Sequence, residues 1–133
     1  MPIHIRGDAL RGDMTTRTVI SGSVTLDQGN IHVEAESMTI DWSKDEVQKI
    51  TANGAPARFT RSITEGKSAI DAHARSIIYD RELNQIELQG TALLRQGGNL
   101  FRGEIILYGI AAGTVTADSS ASGGVELIWQ PRQ

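Results

Sequence analysis

Apolar and polar residues alternate with a period of two along most of this chain, and this alternation limits its fold more than any other feature. Ile31, Val33 and Ala35, for example, alternate with His32, Glu34 and Glu36. Successive side chains of a strand point to opposite faces, so the pattern is typical of strands with one solvated and one buried face. Few windows fit a helical period, whereas Ile, Val and Thr make up 32 of the 133 residues. The sequence therefore predicts an all-β fold.

The alternation changes phase at a short recurring unit, in which a small and a charged residue precede two alternating apolar residues. The unit begins at Ala35, Ala74 and Gly103, and a shorter copy begins at Gly7. A phase change inside an extended run requires a bulge or bend that re-aims the side chains. Strands that bend at matching places fold a sheet over on itself. We therefore expect a β-jelly roll or an open β-taco.

A longer repeat supports one reused structural unit. The segment GSVTLDQG at 22–29 returns 68 positions later as GTALLRQG at 90–97. Repetition at this scale indicates a supersecondary unit that cannot bury its apolar face alone. The length of 133 residues fits one domain, which we assign to residues 1–133. We expect loops at 43–46, 53–57, 63–68 and 111–124, the last of which is rich in Gly, Ser and Ala.

Composition and charge exclude several classes of function. The chain has no cysteine, which excludes thiolate catalysis and cysteine-ligated zinc. A net charge of −3 argues against a nucleic-acid binder, and no stretch approaches the roughly 20 apolar residues of a transmembrane helix. The basic residues are dispersed, which is typical of a solvated face, although several lie near bends where an anionic headgroup could meet the mouth of a groove: Arg58, Arg61, Lys67, Arg75, Arg81, Arg95 and Arg102.

The sequence also lacks a catalytic constellation. His4, His32 and His73 have no metal-ligand spacing and fall on alternating positions of predicted strands, where we expect them to be exposed. No GxSxG motif occurs, and neighbouring carboxylates such as Asp45 and Glu46 are typical of solvated loop charges. We therefore predict no enzyme, no metal site and no cofactor.

A mostly aliphatic interior suggests what the sheet encloses. Only six aromatic residues are available to fill the space between bent strands. An apolar channel left open there would take acyl chains, at about 0.8 kcal/mol for each buried CH₂ group. The phase of the alternation places these residues on the apolar face: Ile3, Ile5, Val33, Ile77 and Tyr79, with Ile40 and Tyr108 by equivalence between the repeats.

Six segments in series resemble one known family. They are PIHIRGDAL at 2–10, SGSVTLDQGNIHVEAESMTID at 21–41, ITANGAPARF at 50–59, GKSAIDAHARSIIYD at 66–80, LQGTALLRQGGNLFRGEIILY at 88–108 and VELIWQP at 125–131. Together they resemble the OstA-like periplasmic lipopolysaccharide-transport family of LptA-type bridge proteins. The resemblance covers essentially the whole chain. It implies a slightly open β-jelly roll of about sixteen antiparallel strands, without catalysis.

The resemblance further implies a carrier of lipopolysaccharide across the periplasm, with the acyl chains inside the roll. Such proteins join the membrane-anchored jelly-roll component of an inner-membrane ABC transporter complex to the jelly roll of the outer-membrane translocon. The family's lipid-contacting positions that match here are Ile3, Ile5, Phe59 and Tyr79. The first residues, MPIHIRGD, carry no secretory signal peptide, so the periplasmic location is expected from the resemblance alone.

An open roll also has two exposed strand edges, which can pair with another strand. We expect these edges at the terminal strands, with joints at Ile3, His4 and Ile5 and at Val125, Leu127 and Trp129. Pairing of one chain's C-terminal edge with the next chain's N-terminal edge would give a head-to-tail homo-oligomer. The alternative function is a carbohydrate-binding or structural β-repeat module without lipid cargo. That module would need exposed aromatic platforms, for which only Trp42 and Trp129 are available.

Overall fold

The computed structural model describes residues 2–62, 68–110, 112–118 and 124–128. These residues form a single antiparallel sheet of ten strands. None of them forms a helix long and apolar enough to cross a membrane. The strands are β1 (His4–Arg6), β2 (Ala9–Gly12), β3 (Arg17–Gln28), β4 (Ile31–Ser43), β5 (Glu46–Arg61), β6 (Ile70–Asp80), β7 (Gln85–Gln96), β8 (Asn99–Gly109), β9 (Val115–Asp118) and β10 (Glu126–Ile128).

The long strands follow one another in the sheet in the order in which they occur in the chain. The order is β1-β3-β4-β5-β6-β7-β8-β10, and β2 also pairs with β3 while β9 also pairs with β8. The two short strands β1 and β2 therefore share one side of β3, and β9 and β10 share one side of β8. The terminal strands lie at the two ends of the sheet, where the sequence analysis placed its edges.

A row of bends crosses the whole sheet at mid-strand. The register of each pairing from β3 to β8 shifts there. The residues on one side of the shifts are direct partners of one another, and they form the row Ser21, Ser37, Asn53, Ser76, Gln89 and Ile105. We call this row the fold line. It divides the sheet into two leaves, one containing 17–21 of β3 and the other containing 24–28.

The fold line lies where the alternation changes phase. The small and charged pairs that begin at Ala35, Ala74 and Gly103 all lie at the register shifts. At the shorter copy, which begins at Gly7, the strand is interrupted between β1 and β2. There the amide of Asp8 donates to the carbonyl of Ser21 at 2.8 Å. The predicted bends are therefore confirmed, and the reason is that a bulge re-aims the side chains without ending the strand pairing.

Three expectations about strands and loops were wrong. The described residues form ten strands rather than about sixteen, because backbone pairing continues through the bulges and each of the long strands β3 to β8 counts once. The expected loop at 53–57 lies inside β5, and the expected loop at 111–124 contains β9. The loop at 43–46 is confirmed as the turn between β4 and β5, whereas 63–67 lies outside the described residues.

The 68-residue repeat is a repeat of backbone conformation. Gly22 and Gly90 both have φ of +85°, and the following residues, Ser23 and Thr91, have φ of +46° and +48°. Residues with side chains rarely adopt positive φ, whereas glycine does so without steric cost. The same pair of left-handed residues therefore produces the bulge at equivalent places in β3 and β7.

The apolar core fills the space between the leaves next to the fold line. Its largest fully buried side chains come from both leaves and are Met38, Leu88, Leu94, Ile106 and Val24. Of the aromatic residues in the described part of the chain, only Phe59 and Tyr108 are buried. Most of the core is aliphatic, as the composition predicts, and it does not fill the whole space between the leaves.

Candidate functional site

A cavity of about 560 Å³ opens between the two leaves. Both leaves contribute to its wall, and the wall is mostly aliphatic and aromatic. The lining residues are Ile3, Leu26, Gln28, Ile31, Val33, Trp42, Asp45, Glu46, Val47, Ile50, Ala52, Phe59, Arg61, Ile77, Tyr79, Arg81, Asn84, Ile86, Tyr108 and Ile110. Alternation puts these residues on the inner face, since every second residue of β5 to β8 points inward.

A second space of about 990 Å³ lies beneath the N-terminal strands β1 and β2. It is lined by residues of 3–14 together with Thr18, Ile20 and Ile40. The two spaces share the lining residues Ile3, Trp42, Val47 and Ile50. They are therefore neighbours along one wall, and together they extend from the interior towards the N-terminal edge of the sheet.

Several wall residues are only half-buried in this structure. Ile5, Trp42 and Tyr79 are partly exposed and pack against the edge of the core, and Ile3 is 42% exposed. Apolar surface that remains in contact with water gains free energy when a ligand covers it, at roughly 25 cal/mol for each Å². The inner wall thus offers an elongated apolar surface suited to hydrocarbon.

One rim of the cavity is polar and charged. It is formed by the turn after β4 with the start of β5 and by the turn after β6, and its residues are Asp45, Glu46, Arg81 and Asn84. An Arg81 guanidinium nitrogen lies 2.8 Å from a carboxylate oxygen of Glu46, and both side chains are largely exposed. An amphiphile with its apolar part inside would place its polar part at this rim.

Trp42 is held in the wall by a chain of hydrogen bonds. Its indole Nε1 donates to the buried hydroxyl of Thr18 at 3.0 Å, and that hydroxyl donates to the carbonyl oxygen of Asp13 at 2.6 Å. The backbone amides of Thr16 and Thr15 donate to the Asp13 carboxylate and hold its pKa well below the usual range. Trp42 is therefore not an exposed platform for a sugar, and Trp129 lies outside the described residues.

Arg61 departs from the prediction that the basic residues form a solvated face. It is 8% exposed and lines the cavity. One Nη donates to the carbonyl of Ser68 at 3.1 Å, whereas the buried Nε has no hydrogen-bond partner in the part of the chain that the structure describes. The sequence does indicate this inner position, because Arg61 follows Ala57 and Phe59 at a spacing of two and so lies on the same face.

The outer face of the sheet carries the paired charges. Arg58 donates to both carboxylate oxygens of Asp71, at 3.1 and 2.8 Å, which lowers the pKa of Asp71. His32 lies between Asp27 at 2.6 Å and Glu34 at 3.2 Å, and its hydrogen bonds to these carboxylates raise its pKa. His32 is thus half-buried and paired rather than simply exposed. Within the described ranges no three His, Asp or Glu residues converge as a metal site.

The eight residues predicted to contact lipid all line one of the two spaces. Val33, Phe59, Ile77, Tyr79 and Tyr108 line the inner cavity, Ile5 and Ile40 line the space beneath β1 and β2, and Ile3 lines both. The predicted lipid contacts did not include Trp42, Ile50 and Ile86, which lie in the same wall. The alternation could have found them, since Trp42 continues the phase of Met38 and Ile40 on β4.

A sheet folded around an open apolar interior, with charged side chains at its rim and on its outer face, defines a protein of the β-jelly-roll class. A family model described as "LptA/(LptD N-terminal domain) LPS transport protein" matches residues 4–114. The chain belongs to this family.

Two comparisons with an individual relative agree with the family. The lipopolysaccharide export system protein LptH of Pseudomonas aeruginosa is 26% identical over 141 residues, which cover 99% of this chain and 81% of LptH. A crystal structure of LptH matches with a TM-score of 0.87 and 25% identity over 98% of this chain and 96% of that chain. That structure is described as the LptA-homologous periplasmic component of the conserved lipopolysaccharide transport device. The predicted jelly-roll fold and the prediction of a non-enzymatic protein are both confirmed by these relatives.

Proposed function

We propose that this protein is a non-enzymatic lipopolysaccharide carrier of the periplasm, with the acyl chains of its cargo held between the two leaves. The observation that carries the proposal is the apolar cavity, whose wall continues into the space beneath β1 and β2. Burial of hydrocarbon along this wall supplies the binding free energy, at about 0.8 kcal/mol for each CH₂ group. The saccharide stays at the charged rim, where it remains hydrated.

The periplasmic location is proposed because LptH, which shares the fold over almost the full length, is described as a periplasmic component. The proposed partners are the membrane-anchored jelly-roll component of the inner-membrane ABC transporter complex and the jelly roll of the outer-membrane translocon. A carrier between them needs an exit for cargo at each end. The edges of the sheet at β1 and β10 support this arrangement, since neither strand has a partner on its outer side among the described residues.

Apolar side chains at both edges support pairing with other jelly rolls. Val125 is 52% exposed, Leu127 61% and Ile128 49%, while Leu10 at the opposite edge is 67% exposed. A strand added to either edge would bury these side chains and pair the free backbone groups. Of the assembly joints proposed from the sequence, Ile3, Val125 and Leu127 are exposed and apolar, whereas His4 is polar, Ile5 is partly buried and Trp129 is not described.

Photo-crosslinking in cells that make lipopolysaccharide tests the carrier function. A photoreactive residue at Tyr79 or Ile5, which line the two spaces and are half-buried, is expected to form an adduct with lipopolysaccharide. The matched controls are His4 and Glu34, which are exposed on β1 and β4. Equal adduct yields from the inner and outer positions would contradict the carrier proposal.

A further inference from the structure

Arg61 is a charged side chain enclosed in an apolar wall. It is the last residue of β5, where it pairs in register with Ile31 of β4 and Ile70 of β6. Phe59 precedes it on the same inner face, and the next residue, Ser62, is exposed. Arg61 therefore marks the depth at which the apolar wall ends and solvent begins.

Among the described residues, Arg61 has neither an acceptor for every N–H group nor a counter-charge. A guanidinium has five N–H donors, and the buried Nε of Arg61 has no acceptor among the described residues. No ion pair of Arg61 with a carboxylate is found there either, whereas Arg58, Arg81 and Arg102 each have an acidic partner. A buried cation without a counter-charge is costly, because it has lost its hydration and gained no partner.

We propose that Arg61 binds a phosphate on the headgroup of the amphiphile whose acyl chains fill the cavity. This inference rests on the proposed carrier function. The planar guanidinium forms paired hydrogen bonds with phosphate oxygens, and the anion supplies the acceptor for Nε and the counter-charge that the described residues do not provide. A neutral sugar hydroxyl would supply an acceptor without the charge. The position of Arg61 at the end of the apolar wall matches the boundary between the chains and the headgroup.

The test compares two probes and four forms of the full chain. The probes are diphosphoryl lipid A and the same lipid after removal of its phosphates. The proteins are the wild type, Arg61→Met, Arg61→Lys and the control Arg58→Met, which changes an arginine of the same strand on the outer face. Arg61→Met is expected to weaken binding of the phosphorylated lipid by about tenfold or more, the worth of a charged hydrogen bond. Its binding of the dephosphorylated lipid is expected to stay unchanged.

The other variants separate charge from packing. Arg61→Lys keeps the charge without the planar geometry and is expected to fall between wild type and Arg61→Met, while Arg58→Met behaves as wild type. In the absence of lipid, Arg61→Met is expected to melt at or above the wild-type temperature, because it removes a buried charge that has no carboxylate partner among the described residues. A much lower melting temperature, or an equal loss of both lipids, would assign Arg61 a structural role and overturn the inference.

Three further outcomes are distinguishable. A wild-type protein that binds both lipids equally overturns the role of Arg61 and leaves the carrier function intact. A folded wild-type protein that binds neither lipid overturns the carrier function and this inference with it. Inorganic phosphate alone is expected to produce little thermal stabilisation. If it stabilises the wild type as much as the phosphorylated lipid does, and fails to stabilise Arg61→Met, the site binds free phosphate rather than a lipid headgroup.

Discussion

At the scale of single residues, polar side chains decide how the apolar wall is held in place. Thr18 is buried, and its one hydroxyl both accepts from the indole of Trp42 and donates to the carbonyl of Asp13. The turn at 13–16, the strand β3 and the wall residue Trp42 are thereby linked by one oxygen atom. A buried polar group that loses its partner costs about 1–3 kcal/mol, so this link matters to both stability and cavity shape.

Thr18→Val tests this link because it keeps the side-chain shape and removes the hydroxyl. The indole N–H of Trp42 and the carbonyl of Asp13 would both lose a partner, and the free energy of unfolding is expected to fall by about 1–3 kcal/mol. Urea denaturation measures it. Thr18→Ser keeps the hydroxyl and serves as the control, so a valine variant as stable as the serine variant would contradict the prediction.

His32 predicts a pH dependence of stability. Hydrogen bonds to Asp27 and Glu34 raise its pKa in the folded state above the unfolded value of about 6.5. The charged form is therefore favoured by folding, so the added stability is fully present below about pH 6.5 and is lost as the pH rises through the raised folded pKa. The His32 side chain is 38% exposed, which limits the effect to below about 1 kcal/mol.

The measurement is the difference in unfolding free energy between wild type and His32→Gln from pH 5.5 to pH 9. Taking the difference between the two proteins largely cancels the titration of the other acidic and basic groups. Wild type is expected to exceed the variant by more at the acidic end than at the alkaline end. A difference that does not change with pH would show that the ring and its two carboxylates are not coupled.

At the scale of the strands, the bulges bend the sheet without interrupting it. In β7 the bulge contains Gly90 and Thr91, both with positive φ. A Cβ atom added to Gly90 would lie 3.0 Å from atoms of the Arg75 side chain. Thr91 already bears a branched side chain in a conformation that disfavours one. Adding a side chain at Gly90 is therefore unfavourable, whereas removing the side chain of Thr91 relieves strain.

Gly90→Ala and Thr91→Gly are expected to change stability in opposite directions. The alanine is strained by φ and by crowding against Arg75, which should lower the unfolding free energy by about 1–2 kcal/mol. The glycine relieves the left-handed threonine, so its effect is expected to lie between zero and a gain of about 1 kcal/mol. Chemical denaturation of both variants measures this, and a Thr91→Gly variant as destabilised as Gly90→Ala would contradict the assigned strain.

The strands and bends were predictable from the sequence because both follow from the alternation of apolar and polar residues over short segments. The phase change at Ala35 predicts a bend at the place where the structure has one. The pattern does not show whether a strand is interrupted at a bend, because continuity depends on pairing with neighbouring strands. The expected count of about sixteen strands came from the family resemblance and not from the alternation. The strand β9 was missed because its four residues are defined by pairing with β8. Arg61 was expected to be exposed because arginine is charged, although its spacing of two from Phe59 predicts that it lies on the inner face.

At the scale of the whole molecule, the two ends of the sheet differ from its middle. The middle strands are paired on both sides, whereas the short strand β10 pairs only with Leu100–Arg102 of β8 among the described residues. It contributes little to the core, and its three residues are exposed. The edge therefore adds little to the stability of the roll and is available for association.

Deletion of Val125–Gln133 is expected to leave the fold intact and to weaken both head-to-tail association and binding to a partner jelly roll. Light scattering against concentration and binding to the isolated jelly roll of the outer-membrane translocon measure the two effects. Deletion of 131–133 alone keeps β10 and Trp129 and is the control. If removal of β10 changes neither measurement, the C-terminal edge is not an assembly joint.

The fold line also constrains how neighbouring strands can slip past one another. A slip of two residues would keep every side chain on its own face, so the alternation alone does not forbid it. Such a slip would carry the bend of one strand about 6–7 Å away from the bend of the next. The row from Ser21 to Ile105 has a bend in every pairing, so the bends of all the long strands coincide in only one alignment. The bulges that open the space between the leaves therefore also select the correct pairing while the sheet assembles.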